Sequence, residues 1–253
     1  TFPGLLTAKG YKAGLVANSS IAHATPAAFY AHIDSRYKEK EIAKMLIDSD
    51  IDIALGGGQE FFDVTASEDS PFMIYDKTLL DSTLLNSKEQ VIGLFAEDGF
   101  DRRMGTPTQL EMTQVALNFL GNKSQSCAGF FLMSEGSQID WAGHDNDAQY
   151  MLVEFADFDA TVQAATDFAI ENQDTLILVT ADHATGGLVL QRPKGSKVQA
   201  QWTTGSHDLS PINIYAYGPG AELFSGVMDN TEIFDLILQA LDYENLDSAN
   251  CSS

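Results

Sequence analysis

Two short apolar runs separated by one long amphipathic segment constrain the fold most strongly. The runs "CAGFFLMSEG" (127–136) and "DTLILVTADH" (174–183) are typical of strands buried on both faces. Between them, "DAQYMLVEFADFDATVQAATDFAIENQ" (147–173) has the spacing of an amphipathic helix. A strand, a long helix and a second strand indicate a βαβ unit, and hence an α/β fold.

The rest of the chain repeats this alternation. Further strands are predicted at 11–20, 51–58, 88–97 and 211–218, and further helices at 25–32, 39–50, 106–122 and 229–242. We place Thr25 at a helix cap with Pro26 in the first turn, and we expect Gly121-Asn122 to end the helix at 106–122. No repeat or linker is visible, so residues 1–253 are predicted to form one domain with a largely parallel sheet.

Composition excludes several classes of function. The net charge of −22 disfavours nucleic-acid and anionic-membrane partners, and no apolar stretch reaches the ~18 residues of a membrane span. An anionic substrate would need cations or bound metals to reverse the local field. The chain begins at Thr1 without Met or a signal peptide, and we interpret it as a mature or truncated piece.

Chemistry is expected where the strands end, because open α/β sheets bind ligands beyond the carboxyl ends of their strands. The strand at 127–136 leads into Glu135, Asp140 and His144, and the strand at 174–183 ends in Asp182-His183. His207 comes just before the strand at 211–218. Imidazole and carboxylate groups suit zinc, yet each pair alone also fits a solvated loop or a helix cap. From these residues alone, a metal site and a polar loop both remain open.

Four linked motifs resemble the alkaline phosphatases. They are "HATPAAFYAHIDSR", "MSEGSQIDWAGHDND", "VTADHATGGL" and "TTGSHDLSPINIYAYGPGAELFSGVMDNTEIFDLI", and they span nearly the whole chain in order and strand context. The resemblance implies a three-layer α/β/α sandwich that hydrolyses phosphomonoesters with two zinc ions, one magnesium ion and a serine nucleophile. It also implies a homodimer in the periplasm or outside the cell, with small phosphomonoesters and inorganic phosphate as ligands.

The resemblance assigns roles to individual residues. It implies Asp140, His144 and His207 as ligands of the first zinc, Asp182 and His183 of the second, and Thr25 and Glu135 of magnesium. Arg36 matches the phosphate-binding arginine of the family, although its charged neighbours alone would indicate a surface residue. His23 and Trp141 stand where well-known bacterial members carry aspartate and lysine. His23 leaves the identity of the third metal open, and Trp141 is expected to weaken phosphate retention.

The chain departs from the family in one respect. The nucleophilic serine, in an Asp-Ser-Ala motif, and a metal-bridging aspartate lie well upstream of the Thr-Pro-Ala segment in the family, and no such motif precedes Thr25. We interpret Ser19-Ser20 as a strand-end turn and Asp247-Ser248-Ala249 as a coincidence in a polar tail. We therefore expect the serine to lie outside this chain, which alone would be inactive. A related phosphodiesterase or sulfatase, or a non-catalytic metal- or phosphate-binding domain, remains an alternative.

Other sequence features favour structural roles. "GGG" at 56–58 lacks the Lys-Ser/Thr of a phosphate-binding loop and predicts a turn at a strand end. His32 fits a helix face, and Arg102-Arg103 fits a solvated loop. Only 23 residues separate His183 from His207, where larger family members carry an insertion, so we expect a compact enzyme.

Overall fold

The computed structural model describes residues 1–63, 71–101, 105–192, 195 and 198–246. These residues form two compact units, one that ends at Glu135 and also includes Leu246, and one from Gly136 to Asn245. The single domain expected from the sequence stays a prediction. Arg102-Arg103 and Asp247-Ser248-Ala249 lie outside the described residues.

A five-stranded parallel sheet forms the centre of the first unit. The order of its strands is β3-β4-β2-β1-β5, and every neighbouring pair is parallel. This sheet agrees with the largely parallel one predicted from the alternating pattern. Its strands are β1 (Tyr11–Ser20), β2 (Ile53–Gly57), β3 (Phe72–Ile74), β4 (Val91–Leu94) and β5 (Gly129–Glu135).

Helices cover both faces of this sheet. Because side chains alternate along a strand, Leu15 of β1 points into one apolar cluster and Val16 into another. Helix α3 (Glu39–Ile47) contributes to the first cluster and helix α5 (Gln109–Lys123) to the second, so the unit has three layers. Its other α-helices are α1 (Phe2–Thr7), α2 (Ala24–Ala28) and α4 (Ser82–Leu85), with 3₁₀ turns at Gln59–Phe61 and Lys77–Leu79.

Helix α5 extends beyond the end predicted for it. It continues through Gly121 and Asn122 to Lys123, so the expected stop at these two residues was wrong. A glycine inside a helix costs about 1 kcal/mol relative to alanine. Phe119 and Leu120 are fully buried just before it, and this burial holds the last turn in place.

The beginning of α5 is a capping box. The Thr108 hydroxyl accepts the Glu111 N–H at 3.0 Å, and the Glu111 carboxylate accepts the Thr108 N–H at 2.8 Å. These two bonds satisfy backbone donors that would otherwise have no partner within the helix.

We expect Thr108→Ala to lower the free energy of unfolding by about 1 kcal/mol, because the side-chain acceptor at the cap is lost. Urea denaturation followed by circular dichroism measures this change. Thr108→Ser keeps the hydroxyl and should remain close to the unchanged protein. Equal losses in the two variants would show that the cap bond is not the cause.

The described residues of the second unit form one long helix, two short helices and three antiparallel strand pairs. Strand β6 pairs with β11, β7 with β10, and β8 with β9. Its helices are α6 (Gln138–His144), α7 (Ala148–Asn172) and α8 (Glu232–Ala240). Its strands are β6 (Ile177–Val179), β7 (Ala184–Thr185), β8 (Val189–Gln191), β9 (Gln199–Gln201), β10 (His207–Asp208) and β11 (Tyr215–Tyr217), with 3₁₀ turns at Ala221–Phe224 and Tyr243–Asn245.

Strands β5 and β6 are less buried than their apolar sequences predict. Every residue of both strands is only partly buried, so the prediction of burial on both faces was wrong. The reason is position: among the described residues, β5 is an edge strand of its sheet, and β6 pairs with β11 alone. Helix α7, by contrast, covers nearly all of the segment predicted for it, and Asp147 caps it by accepting the N–H groups of Gln149 and Tyr150.

Two smaller predictions can be compared with the structure. Strand β2 ends at Gly57 and Gly58 has φ +98°, which confirms the predicted turn. A Cβ on Gly57 would lie 1.7 Å from the Asp98 carbonyl oxygen, so only glycine fits there. His32 lies beyond α2, which ends at Ala28, so its predicted place on a helix face was wrong. Its side chain is exposed, with Nε2 3.4 Å from the backbone nitrogen of Thr1. No helix among the described residues is long and apolar enough to cross a membrane.

Candidate metal centre

In the first unit, the residues proposed for magnesium lie at the carboxyl edge of the sheet. Strand β5 ends at Glu135, which pairs in register with Ala17 near the end of β1. Helix α2, which carries Thr25, follows β1 after a short turn and packs against both β1 and β5. Glu135 and Thr25 therefore share the edge at which α/β sheets bind ligands.

The start of α2 differs from the prediction. His23, not Thr25, is the N-cap residue, and the His23 carbonyl accepts the Ala27 N–H at 3.0 Å. Thr25 is then the second helical residue, and its side chain is not needed as a cap. The expected cap at Thr25 was therefore wrong, because the N-cap lies two residues earlier than the Thr-Pro pair suggested.

His23 and Arg36 contact each other. The Arg36 guanidinium donates from Nη2 to Nε2 of His23 at 3.0 Å. Because a guanidinium is always a donor, this bond requires the His23 proton on Nδ1. The Arg36 side chain is exposed, as its charged neighbours in the sequence suggested. The phosphate-binding role implied by the resemblance stays a prediction.

Ser19 and Ser20 are fully buried at the end of β1. The Ser20 hydroxyl accepts the Ala22 N–H at 3.1 Å, and the Ser19 hydroxyl donates to the Ser20 carbonyl at 3.3 Å. Both hydroxyls thus serve the backbone of the turn that follows the strand. Their interpretation as a strand-end turn is confirmed.

In the second unit, Asp140, His144 and His207 converge. Each offers one ligand atom, and these atoms lie within 4.8 Å of one another. Nε2 of His144 is 3.5 Å from Asp140 Oδ2, and Nε2 of His207 is 3.7 Å from Asp140 Oδ1. Asp140 and His144 are one helical turn apart on α6, and β10 begins with His207.

Asp182 and His183 extend this cluster. Nε2 of His183 lies 3.1 Å from Asp182 Oδ2, and Nδ1 lies 3.9 Å from Asp140 Oδ1. The rings of His183 and His207 stack with their centroids 3.5 Å apart. Three imidazoles and two carboxylates therefore occupy one neighbourhood of the second unit.

The antiparallel pairing of β7 with β10 holds His207 in this cluster. Strand β7 pairs with β10 so that Thr185 lies opposite His207 and Ala184 opposite Asp208. The Gly186 N–H donates to the Ser206 carbonyl at 3.0 Å, and the Gly186 carbonyl accepts from Thr203. Gly186 has φ +83°, and a Cβ there would lie 2.6 Å from the Trp202 ring, so the turn requires glycine.

The donor set suits a transition metal such as zinc. Zinc in proteins is bound by imidazole nitrogen and carboxylate oxygen, usually with about four ligands. Nδ1 of His144 contacts the Gly205 carbonyl at 2.8 Å, and this bond directs Nε2 towards Asp140. Metal-binding histidines commonly donate their second nitrogen to a carbonyl in this way. The residues present therefore fit a metal ion.

Two contributors to this cluster were missed at the sequence level. Thr185 donates a hydrogen bond to Asp140 Oδ1, and Gly205 supplies the carbonyl that orients His144. Neither residue type signals metal chemistry, and both act only through the β7–β10 pairing. The one available clue is proximity in sequence, since Thr185 is two residues after His183 and Gly205 two before His207.

Known proteins resemble the chain along nearly its whole length. A family model described as "Alkaline phosphatase" matches residues 5–73, 65–199 and 190–243. Alkaline phosphatase 3 of Bacillus subtilis (strain 168) is 33% identical over 323 residues, with 93% of this chain and 69% of the relative covered. These 323 positions exceed the 253 residues of this chain, so the relative has additional residues inside the matched region.

Solved structures extend this similarity to the fold. The structure of alkaline phosphatase from the Antarctic bacterium TAB5 superimposes with a TM-score of 0.85 at 36% identity, covering 95% of this chain and 75% of that one. A TAB5 variant with histidine replaced by glutamate and Mg in its M3 site has a TM-score of 0.84 at 35% identity, with the same coverage. The predicted α/β/α architecture is confirmed by these matches.

Proposed function

Since this chain belongs to the alkaline phosphatase family, we propose that it hydrolyses phosphomonoesters to an alcohol and inorganic phosphate. The observation that carries the proposal is the convergence of Asp140, His144 and His207, with Asp182 and His183 beside them. This arrangement can concentrate positive charge, through bound ions, on a chain whose net charge is −22. A phosphate ester would otherwise be repelled from so acidic a protein.

We assign the metal ligands as the family resemblance implies. Asp140, His144 and His207 would hold one zinc, and Asp182 and His183 would belong to a second. Thr25 and Glu135 would hold magnesium. When bound, the ions supply Lewis-acid charge that stabilises the attacking and leaving oxygens of a displacement at phosphorus. The aspartate that bridges two metals in the family has no counterpart identified in this chain.

The protein groups supply orientation. The planar guanidinium of Arg36 is suited to two phosphate oxygens, and its bond to His23 restricts the directions in which it can point. The Gly205 carbonyl keeps the His144 ring aligned with Asp140. Ser19 and Ser20 are not proposed as nucleophiles, because their hydroxyls are buried and bonded to backbone.

His23 and Trp141 are proposed to adjust the site. His23 lies two residues before Thr25, and a histidine-to-glutamate variant of TAB5 alkaline phosphatase carries Mg in its M3 site. We therefore leave the third ion of this chain open between zinc and magnesium. Trp141 is half-buried on α6 next to Asp140, and it adds no positive charge that would retain the phosphate product.

A comparison of substrates tests the proposed function. The complete gene product, loaded with zinc and magnesium, is assayed on p-nitrophenyl phosphate, bis(p-nitrophenyl) phosphate and p-nitrophenyl sulfate. We expect the monoester to react fastest, and a chelator to reduce its hydrolysis to background until zinc is restored. Faster hydrolysis of the diester would indicate a related phosphodiesterase, and faster hydrolysis of the sulfate a related sulfatase. Binding of zinc without hydrolysis of any of the three would indicate a metal-binding domain.

We also propose the setting in which the enzyme acts. By family resemblance it is a homodimer located in the periplasm or outside the cell, and its ligands are small phosphomonoesters and inorganic phosphate. Light scattering combined with size-exclusion chromatography measures the oligomeric state. A mass equal to one chain of the complete product would contradict the dimer.

A further inference from the structure

Thr185 links the two proposed sets of zinc ligands. Its hydroxyl donates to Oδ1 of Asp140, a proposed ligand of the first zinc. The same Oγ1 lies 3.3 Å from Nδ1 of His183, a proposed ligand of the second. One side chain that binds no metal itself thus touches a member of each set.

The direction of these two contacts follows from the number of protons. A hydroxyl has one hydrogen, and an ionised carboxylate can only accept, so the Thr185 hydrogen belongs to the bond with Asp140. Oγ1 is then able to accept a hydrogen bond from Nδ1 of His183. A neutral imidazole that ligates an ion through Nε2 carries its proton on Nδ1, so this contact can form when His183 binds an ion through Nε2. Oδ2 of Asp182 lies 3.1 Å from the same Nε2.

The surrounding backbone fixes the position of Thr185. Its strand is paired with β10 opposite His207, and α6 packs against it through Gly143. A Cβ on Gly143 would lie 3.0 Å from the Thr185 Cβ and 3.1 Å from its carbonyl oxygen. This close approach leaves little room for movement, and a β-branched side chain has few rotamers at χ1. The hydroxyl is therefore held where both contacts can form.

We propose that Thr185 is a positioning residue, which orients the carboxylate of Asp140 and holds the ring of His183 through Nδ1 when its Nε2 binds an ion. The inference rests on the proposed metal-dependent function. It predicts that the hydroxyl contributes to zinc affinity although it is not a ligand. Substitutions of groups that orient metal ligands typically reduce affinity about 10- to 100-fold, and we expect a loss in this range without the hydroxyl.

The test compares Thr185→Val, which keeps the shape without the hydroxyl, with Thr185→Ser, which keeps the hydroxyl. Zinc affinity is measured by competition with a chromophoric chelator, and the geometry of the site by the visible spectrum of the cobalt-loaded protein. We expect weaker zinc binding and an altered cobalt spectrum in the valine variant, with both restored by serine.

Thr203→Val is the matched control, because the Thr203 hydroxyl donates only to the Gly187 carbonyl of the segment that joins β7 to β10. It should bind zinc as the unchanged chain does. If Thr185→Val does not fold, the pair Thr185→Ser and Thr185→Ala isolates the hydroxyl. Unchanged affinity and an unchanged cobalt spectrum without the hydroxyl would overturn this inference alone. Failure of the unchanged chain to bind zinc would overturn the proposed function, and this inference with it.

Discussion

His207→Ala is expected to lower the zinc affinity of the chain by about 10²- to 10³-fold. Structural zinc sites have apparent binding free energies of about 10–16 kcal/mol for about four ligands, or about 2.5–4 kcal/mol for each. His207 is half-exposed and stacks on His183, so its removal opens the cluster without leaving a cavity in the core. Competition with a chelator measures the affinity, and hydrolysis by the complete product should fall with it.

The control for this substitution is His32→Ala. His32 is an exposed histidine of the first unit whose ring contacts the backbone nitrogen of Thr1. Its removal deletes the same chemical group away from the cluster and should leave zinc affinity unchanged. Equal affinities for the His207→Ala and unchanged proteins would show that His207 is not a ligand, and the assignment of the first zinc would then fail.

Phe119→Ala is expected to lower the free energy of unfolding by about 3–5 kcal/mol, the usual cost of removing a fully buried phenylalanine. Phe119 has no exposed surface and lies in the cluster that joins α5 to the sheet. The ring fills space that the neighbouring side chains cannot close, so its loss removes apolar burial and leaves a cavity. Chemical denaturation followed by far-ultraviolet circular dichroism measures the effect.

Phe155→Ala provides the comparison, because the Phe155 side chain on α7 is 53% exposed. Its truncation removes less buried surface, and we expect a loss below about 1 kcal/mol by the usual area relation. Similar losses at the two positions would contradict the packing described for α5. The pair thus separates the size of the deleted ring from the depth of its burial.

The fold could be predicted from the sequence where apolar residues recur at a regular spacing over a long segment. Helix α7 has a sustained apolar period and a capping aspartate, and its predicted extent nearly equals the observed one. Errors arose where tertiary packing outweighed a local signal. Gly121 did not stop α5 because the preceding residues are buried, and Thr25 did not cap α2 because the backbone turns at His23.

The candidate site was only partly accessible from sequence. Asp140 and His144 can be recognised in the sequence as candidate metal ligands, because they are four residues apart and carry ligand groups. Asp182-His183 can be recognised because the pair directly follows an apolar strand. Strands β7 and β10 contain two residues each, too few for any visible period. Thr185 contacts Asp140 and His183, and Gly205 contacts His144, across long stretches of chain or through a two-residue strand, so neither role has a sequence signature. The contact of His23 with Arg36 spans 13 residues and has no sequence signature.

The small size of the β7–β10 ladder has a thermodynamic consequence. A ladder of two residue pairs is too short to be stable on its own in water, yet it carries His207 and Thr185. An ion that binds only when this ladder is formed must stabilise it by the same free energy that the ladder contributes to binding. Each tenfold rise in free zinc above the dissociation constant then adds about 1.4 kcal/mol of protection to the Gly186 and Thr203 amides. The free zinc concentration therefore determines the fraction of molecules in which the β7–β10 ladder is formed.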